Sequence, residues 1–236
     1  GELKPLAELY LAGDFEDPLR LAQLIDLEAL GGGRDFLERV LNVAQLDFIT
    51  YVRDRVPSVI KQRELKFNER IELIRILAEN LGKLRDHQDI RTCLTTLPIV
   101  WCGGEEFHPA SIVWFDTDEA KDVLGTEIKL ARFPGEKSEA IRELYLWVGV
   151  SPEPEPEDIV NRIMMVVESA PNAENVQSIG RLIGFIASKW VSWEEKEKEQ
   201  FARLRNQKWL PGTKDTSTWF DARSVYSIYS SFLFES

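Results

Sequence analysis

The sequence LPIVW at residues 97–101, followed by EFHPASIVWF at residues 106–115, decides the fold. A similar combination returns near the end of the chain, as WLP at residues 209–211 and WFDARSVY at residues 219–226. Both stretches are rich in β-branched and aromatic residues with proline nearby, a composition typical of short strands. A repeated segment of this kind has to be identified before single elements, because repeats determine the whole architecture.

The two stretches align at one offset along most of their length. Phe107 and Phe220 are 113 positions apart, and the same offset joins two further pairs, Pro98 with Pro211 and Ser111 with Ser224. A partial third copy opens the chain, where residues 1–11 align with residues 104–115 and Pro5 precedes Pro109 by 104 positions. We call these β-rich stretches the closing segments.

The segments between the closing segments also match. Residues 36–41 resemble residues 140–145 at an offset of 104. Three apolar residues recur 108 positions later, namely Ile71, Ile74 and Leu77 as Ile179, Leu182 and Phe185. An offset that grows from 104 to 108 to 113 indicates small loop insertions in the second copy.

We therefore divide the chain into three parts. Residues 1–14 are expected to be the closing segment of a preceding repeat, residues 15–116 repeat unit one, and residues 117–236 repeat unit two. A segment cut from a longer repeat array is expected to begin and end in closing segments in this way. The alternative is chance similarity, since the matches are to hydrophobic class more than to identity.

Helical patterns fill most of each unit. Asp17 followed by Pro18 predicts a helix start, and the glycines at residues 31–33 predict its end. Ser192 with Glu195 predicts a capping box at the start of a later helix. The predicted fold class is mostly α with small β elements (α+β), as two helical repeat units each closed by a short β segment.

Composition excludes several classes of protein. The chain has 236 residues, of which 44% are hydrophobic and 29% charged, as expected of a globular protein. Its apolar runs are too short to span a bilayer. Two cysteines, Cys93 and Cys102, cannot form a disulfide framework, which favours a reducing cytoplasmic location. The net charge of −11 disfavours duplex DNA and anionic membranes as partners.

The potential metal ligands do not have metal-site spacing. Cys93 and Cys102 are nine positions apart, and His87 and His108 are each six from the nearer cysteine. Structural zinc sites usually pair ligands two to five residues apart. We therefore predict no metal site and assign the four residues structural roles.

No pattern predicts catalysis or a cofactor. The glycines at residues 31–33 lack the preceding strand and the Gly-Lys-Ser/Thr ending of a phosphate-binding loop. The run EEKEKE at residues 194–199 mixes charges at helical spacing, which is typical of a solvated helix face. No catalytic or cofactor-binding residue is therefore assigned.

Aromatic residues concentrate in the closing segments. Most are expected in the core, because aromatic side chains bury large areas. The functional alternative is an exposed strand edge or aromatic groove that captures a peptide or a neighbouring domain. The candidate partner-binding residues are Trp114, Trp219, Phe220, Tyr226, Tyr229 and Phe232.

The order of these motifs resembles the repeats of sacsin-like proteins. The resemblance lies in residues 97–100, 106–115, 209–211 and 219–226, a small part of the chain. In that family such repeats accompany an ATPase domain of the GHKL type and are linked to chaperone-like work. The ATPase module is absent from these 236 residues, so the resemblance implies no nucleotide binding here.

The resulting hypothesis is a non-catalytic repeat or scaffold module of a larger chaperone-like protein, which binds a protein partner or an adjacent domain of the same polypeptide. One alternative is a fragment of an enzyme whose active site is completed by other domains. Another is a module of a bacterial nucleic-acid-associated ATPase system, which the negative charge disfavours.

Overall fold

A computed structural model describes residues 9–62, 65–125, 127–135, 138–212 and 218–222. The strands in chain order are β1 (Leu9–Ala12), β2 (Gln23–Leu24), β3 (Gln45–Leu46), β4 (Val100–Gly103), β5 (Glu106–His108), β6 (Val113–Phe115), β7 (Lys129–Ala131), β8 (Lys208–Pro211) and β9 (Trp219–Asp221). The α-helices are α1 (Arg34–Arg39), α2 (Phe48–Thr50), α3 (Val56–Gln62), α4 (Phe67–Glu79), α5 (Leu81–Leu84), α6 (Gln88–Thr96), α7 (Asp118–Leu124), α8 (Ser138–Val148), α9 (Pro156–Val167), α10 (Ala173–Lys189) and α11 (Glu195–Lys198).

Helices dominate the described chain, and its strands are short. A π-helical turn at Tyr51–Arg55 joins α2 to α3 into one helical run, and a 3-10 helix at Glu199–Leu204 continues α11. The strands form small sheets of two or three members. The predicted fold class, mostly α with small β elements, is confirmed.

The chain divides into two compact units. Unit 1 contains the described parts of Gly1–Val113 and Lys129–Val150, and unit 2 contains those of Trp114–Ile128 and Ser151–Ser236. This division by spatial contact differs from the predicted division by sequence repeat, because α8 belongs to unit 1. The repeat boundaries at residues 14 and 116 stay a prediction.

The apolar stripes predicted from the 108-residue offset lie in the cores of the two units. Ile71, Ile74 and Leu77 on α4 are buried, and so are their counterparts Ile179, Leu182 and Phe185 on α10. Residues at this spacing share one face of a helix, which explains why both helices bury the same stripe. The core of unit 2 continues onto α9, through Ile159, Val160, Ile163 and Val166.

Both closing segments contain an antiparallel hairpin. In unit 1, β4 pairs with β5 and Trp101 lies opposite Phe107. In unit 2, β8 pairs with β9 and Leu210 lies opposite Phe220. The first strand of each hairpin carries a register irregularity. The two segments therefore adopt related shapes.

The hairpins correct one detail of the sequence alignment. Pro98 precedes β4, whereas Pro211 is the last residue of β8, so the two prolines are not equivalent. The strands β4 and β8 correspond at an offset of 108, and only the second strands correspond at 113, because the β8–β9 loop is five residues longer than the β4–β5 turn.

Strands β1 and β6 also make equivalent backbone hydrogen bonds. The backbone N–H of Leu11 in β1 donates to the carbonyl of Ala44 at 2.9 Å, and that of Phe115 in β6 donates to Ser151 at 3.0 Å. Leu11 and Phe115 are both buried. They are 104 positions apart, as the alignment predicted.

The helix predicted after Asp17 is wrong. The Asp17 carboxylate accepts hydrogen bonds from the N–H groups of Leu19 and Ala22, which closes a turn, and the chain continues into β2. The side-chain-to-backbone bonds of aspartate stabilise turns as well as helix starts. The glycines at residues 31–33 all have positive φ and precede α1, so they do not end a helix.

The predicted capping box lies two residues later than expected. Glu194 caps α11 and the Glu197 carboxylate accepts the Glu194 N–H, whereas the Ser192 hydroxyl donates to the Lys189 carbonyl. Ser192 therefore ends the preceding helix instead of starting the next one.

Helix α8 completes the core of unit 1. It packs against α4 and α6, and its residues Ile141, Leu144, Tyr145 and Val148 are wholly buried. Among the described residues, no helix is long and apolar enough to cross a membrane.

Replacing Leu144 by alanine should destabilise unit 1 by about 2–5 kcal/mol, because the removed atoms leave a cavity in a closed core. Leu146→Ala on the same helix is a matched control: Leu146 is 42% exposed, so the change should cost about 1 kcal/mol or less. Urea unfolding followed by circular dichroism compares them. Equal effects would contradict the packing of α8.

Burial raises the pKa of Tyr10, Tyr51 and Tyr145 above the ordinary value. The contribution of these neutral rings to stability is therefore complete below about pH 10, the pKa of an unfolded tyrosine, and is lost as the pH rises through the folded values. We expect phenolate absorbance from these three tyrosines to appear only together with unfolding. Their ionisation at about pH 10 with native circular dichroism would show that they are not enclosed.

Candidate interaction surfaces

The described aromatic candidates lie in unit 2. Trp219 is buried, and its indole Nε1–H donates to the Ser169 carbonyl at 2.8 Å. Trp114 is partly buried, packs against the same apolar cluster and points its Nε1 toward the Asp158 carboxylate at 3.3 Å. Trp114 and Trp219 therefore share one core, with their polar atoms engaged inside the unit.

The structure gives less information on the other aromatic candidates. Phe220 is partly buried in β9 opposite Leu210. Tyr226, Tyr229 and Phe232 lie outside the described residues. A partner-binding role for these residues stays a prediction.

Helix α8 shows how this protein buries an apolar helix face. Leu144 and Tyr145 have no exposed surface, and α8 packs along α4 and α6 within unit 1. Two wholly buried side chains of this size contribute roughly 1.5–3 kcal/mol each. The packing of α8 is therefore a large stabilising contact within unit 1.

Polar contacts connect α8 with α6 and with Arg85, which lies between α5 and α6. The Arg85 guanidinium donates to the Glu143 carboxylate at 2.9 Å. The Arg91 Nε–H donates to the Trp147 carbonyl at 2.7 Å, and the Thr95 hydroxyl donates to the Val148 carbonyl at 2.8 Å. The last two bonds supply partners for carbonyls at the C-terminal end of α8, which the helix itself leaves unpaired.

A further bond ties α8 to the hairpin. The Tyr145 hydroxyl accepts the backbone N–H of Trp101 in β4 at 3.1 Å. In unit 1, the hairpin of the closing segment and helix α8 therefore stabilise each other.

The counterpart of α8 in the sequence repeat is α1 with the two residues that follow it, and three apolar side chains of this segment are exposed. Phe36, Val40 and Leu41 are 56%, 62% and 40% exposed. At an offset of 104, Val40 corresponds to Leu144 and Leu41 to Tyr145, which are both fully buried. We define the α1 face as Phe36, Val40 and Leu41.

The α1 face lies in the richest exposed apolar segment of the described chain. Leu24 and Leu30 are also exposed, so five of the eleven exposed large hydrophobic side chains in the described residues fall within residues 24–41. Only Leu37 of α1 is buried, where it packs with Leu11 and Val43. Phe36 on α1 and Val40 and Leu41 directly after it thus form an exposed apolar patch of the kind that can contact another protein.

Residues 36–41 align with residues 140–145 in the sequence, but the sequence did not identify the α1 face as a candidate surface. The alignment contained the signal, since apolar residues recur at the same positions. What the sequence lacked was the knowledge that α8 is covered by α4 and α6, whereas α1 has no such cover among the described residues.

One of the clefts of unit 1, which we call the ionisable cleft, contains a histidine and carboxylates. It has a volume of about 580 Å³ and is lined by residues that include Phe67, Arg70, Phe107 and His108. The hydrogen bond from Lys129 and the contact with His108 lower the pKa of the Glu106 carboxyl below its ordinary value. A general base needs a pKa near the working pH, so a carboxylate held in its charged form is a poor base.

The cysteines are not brought into a metal site. No group of three or more potential ligands occurs within the part of the chain that the structure describes. Cys93 and Cys102 are both partly buried and free, and burial raises the pKa of the Cys102 thiol to about 11. A thiol with a raised pKa is protonated at neutral pH and is a poor nucleophile or metal ligand.

Comparisons with protein-family models, with curated proteins and with solved structures found no match to this chain. The resemblance to sacsin-like repeats therefore stays a prediction.

Proposed function

We propose that this chain is a non-catalytic repeat module that acts as a scaffold and binds a protein, either a partner or an adjacent domain of a longer chaperone-like polypeptide. The observation that carries the proposal is the exposure of Phe36, Val40 and Leu41, whose counterparts on α8 include two of the most deeply buried residues of unit 1. The α1 face is the binding surface in this proposal.

Energy estimates constrain how such a surface binds. Completing the burial of three half-exposed side chains is worth about 1–2 kcal/mol each, since full burial of such a side chain is worth about 1.5–3 kcal/mol. Association costs roughly 4–15 kcal/mol in lost freedom. The α1 face alone therefore suits reversible binding, or binding to a domain that a linker already holds nearby.

Charge and site chemistry support this class of function over the alternatives. The net charge of −11 opposes binding to a polyanion. Glu106, the carboxylate beside His108 in the ionisable cleft, is 62% exposed and paired with Lys129 at 3.0 Å. Apolar contact is the better-supported mode of action.

Binding of unfolded protein is tested with heat-denatured citrate synthase, whose aggregation is followed by light scattering. We expect the chain to suppress the scattering at a few-fold molar excess and the Phe36→Glu/Val40→Glu variant to have lost most of this effect, because charges on the α1 face would have to be desolvated.

Met165→Glu is the matched control, since Met165 is 58% exposed on α9 of unit 2. It places one charge on an exposed apolar position outside the α1 face and should retain wild-type suppression. A wild-type chain without effect would contradict client binding, and equal activity of all three proteins would exclude the α1 face.

A further inference from the structure

Strand β5 has one edge that no described strand covers, because it pairs with β4 alone and Phe107 lies opposite Trp101. Trp101 uses both of its backbone groups on the side away from β5. Its N–H donates to the Tyr145 hydroxyl at 3.1 Å, and its carbonyl accepts the N–H of Arg132 at 2.7 Å. In an antiparallel pair, two residues directly opposite each other exchange either both hydrogen bonds or neither. The N–H and the carbonyl of Phe107 therefore point away from β4, out of the free edge.

The free edge offers one residue for pairing. The backbone of Phe107 makes no hydrogen bond within the part of the chain that the structure describes. Pro109, the next residue that faces outward, has no N–H, and its carbonyl already accepts the Ile112 N–H at 3.3 Å. An added strand would form one reciprocal pair of bonds here, which contributes little in water. Such a strand therefore needs side-chain contacts as well.

The ionisable cleft supplies these contacts. It has a volume of about 580 Å³ and lies beside Phe107, whose ring centroid is 5.9 Å from that of Phe67. The rest of its apolar lining is formed by Ile60, Leu65 and Pro98. In an added strand, the residue directly opposite Phe107 has its side chain on the same face of the sheet as the Phe107 ring. An apolar side chain at that position would enter the cleft.

Charge favours a basic residue directly after the apolar one. An antiparallel strand that passes Phe107 continues toward Glu106 and Glu105, which are both exposed and line the cleft. Glu106 is paired with Lys129 at 3.0 Å, whereas Glu105 has no salt bridge among the described residues. A basic side chain would thus meet an unpaired carboxylate. The net charge of −11 also attracts a basic segment from a distance.

We propose that β5 binds an extended segment of another protein as an additional antiparallel strand. The segment places an apolar residue opposite Phe107, where its side chain enters the ionisable cleft, and a basic residue follows. In binding of this kind, backbone hydrogen bonds provide affinity and side-chain pockets provide specificity. The site contains no residue of the α1 face, so the inference goes beyond the proposed function.

The probe is the peptide acetyl-Thr-Thr-Leu-Lys-Thr-amide, whose leucine should lie opposite Phe107. It is titrated into the full chain, and NMR follows the exchange of the Phe107 amide proton with water. We expect saturable binding with a Kd of about 1 mM or below. Near saturation, exchange of the Phe107 amide should slow at least about fivefold, because the N–H becomes hydrogen-bonded.

Two methylated peptides test the backbone pairing. N-methylation of the leucine removes the N–H that donates to the Phe107 carbonyl and should weaken binding at least about tenfold. N-methylation of the lysine is the matched control, because the N–H of the next residue points away from β5 in an antiparallel pair. This peptide should bind within about threefold of the parent. Equal affinities of the two methylated peptides would overturn the proposal.

Side-chain changes test the cleft and the charge. Serine in place of the leucine should weaken binding, because it leaves the cleft unfilled. Glu105→Lys should bind the parent peptide several-fold more weakly and acetyl-Thr-Thr-Leu-Glu-Thr-amide more tightly. Glu168→Lys makes the same charge change at an exposed position of unit 2 and should bind both peptides as the wild type does.

Unchanged exchange of the Phe107 amide at about 10 mM peptide would overturn the proposal, since it would exclude even weak pairing. An unchanged charge preference of Glu105→Lys would overturn the assignment of the basic residue. Neither result affects the proposed function, because the α1 face takes no part in these measurements.

Discussion

The burial of α8 against α4 and α6 is the contact on which unit 1 depends. Four wholly buried side chains of α8 contribute roughly 6–12 kcal/mol in gross terms, which is comparable to the whole net stability of an ordinary domain. The same helix supplies the acceptor for the Trp101 N–H of the hairpin and receives bonds from Arg91 and Thr95 of α6 at its C-terminal end. Without α8, the hairpin and both helices would each lose a partner.

The burial of α8 is the reason why the exposure of the α1 face is unusual. Exposed leucines are common on protein surfaces and need no explanation singly. Phe36, Val40 and Leu41 differ because the chain contains a second helix in the same place of the repeat, and that helix is covered. The comparison within one chain thus distinguishes these three exposed side chains from ordinary surface residues, which composition alone cannot do. It also shifts attention from the candidates Trp114 and Trp219, whose indole groups bond inside unit 2.

The sequence predicted the fold class and the core stripes because both depend on local periodicity. Ile71, Ile74 and Leu77 have helical spacing in any context, and their counterparts on α10 follow the same rule. The turn at Asp17 was missed because its capping chemistry is shared by turns and helix starts, and pairing of β2 with β1 decided between them. The α1 face was missed because exposure depends on which helices meet in space, and that information is not local.

The two compact units are interleaved along the chain. Unit 1 needs residues 129–150 after unit 2 has already taken residues 114–128, so the backbone passes between the units three times. A fragment ending at residue 113 would lack α8, and neither unit can be excised as one continuous stretch. During synthesis, α4 and α6 would emerge before α8 and would lack this packing partner until the ribosome had passed residue 150. The packing of α4 and α6 is thus completed only after translation of a segment that the sequence repeat assigns to the next unit.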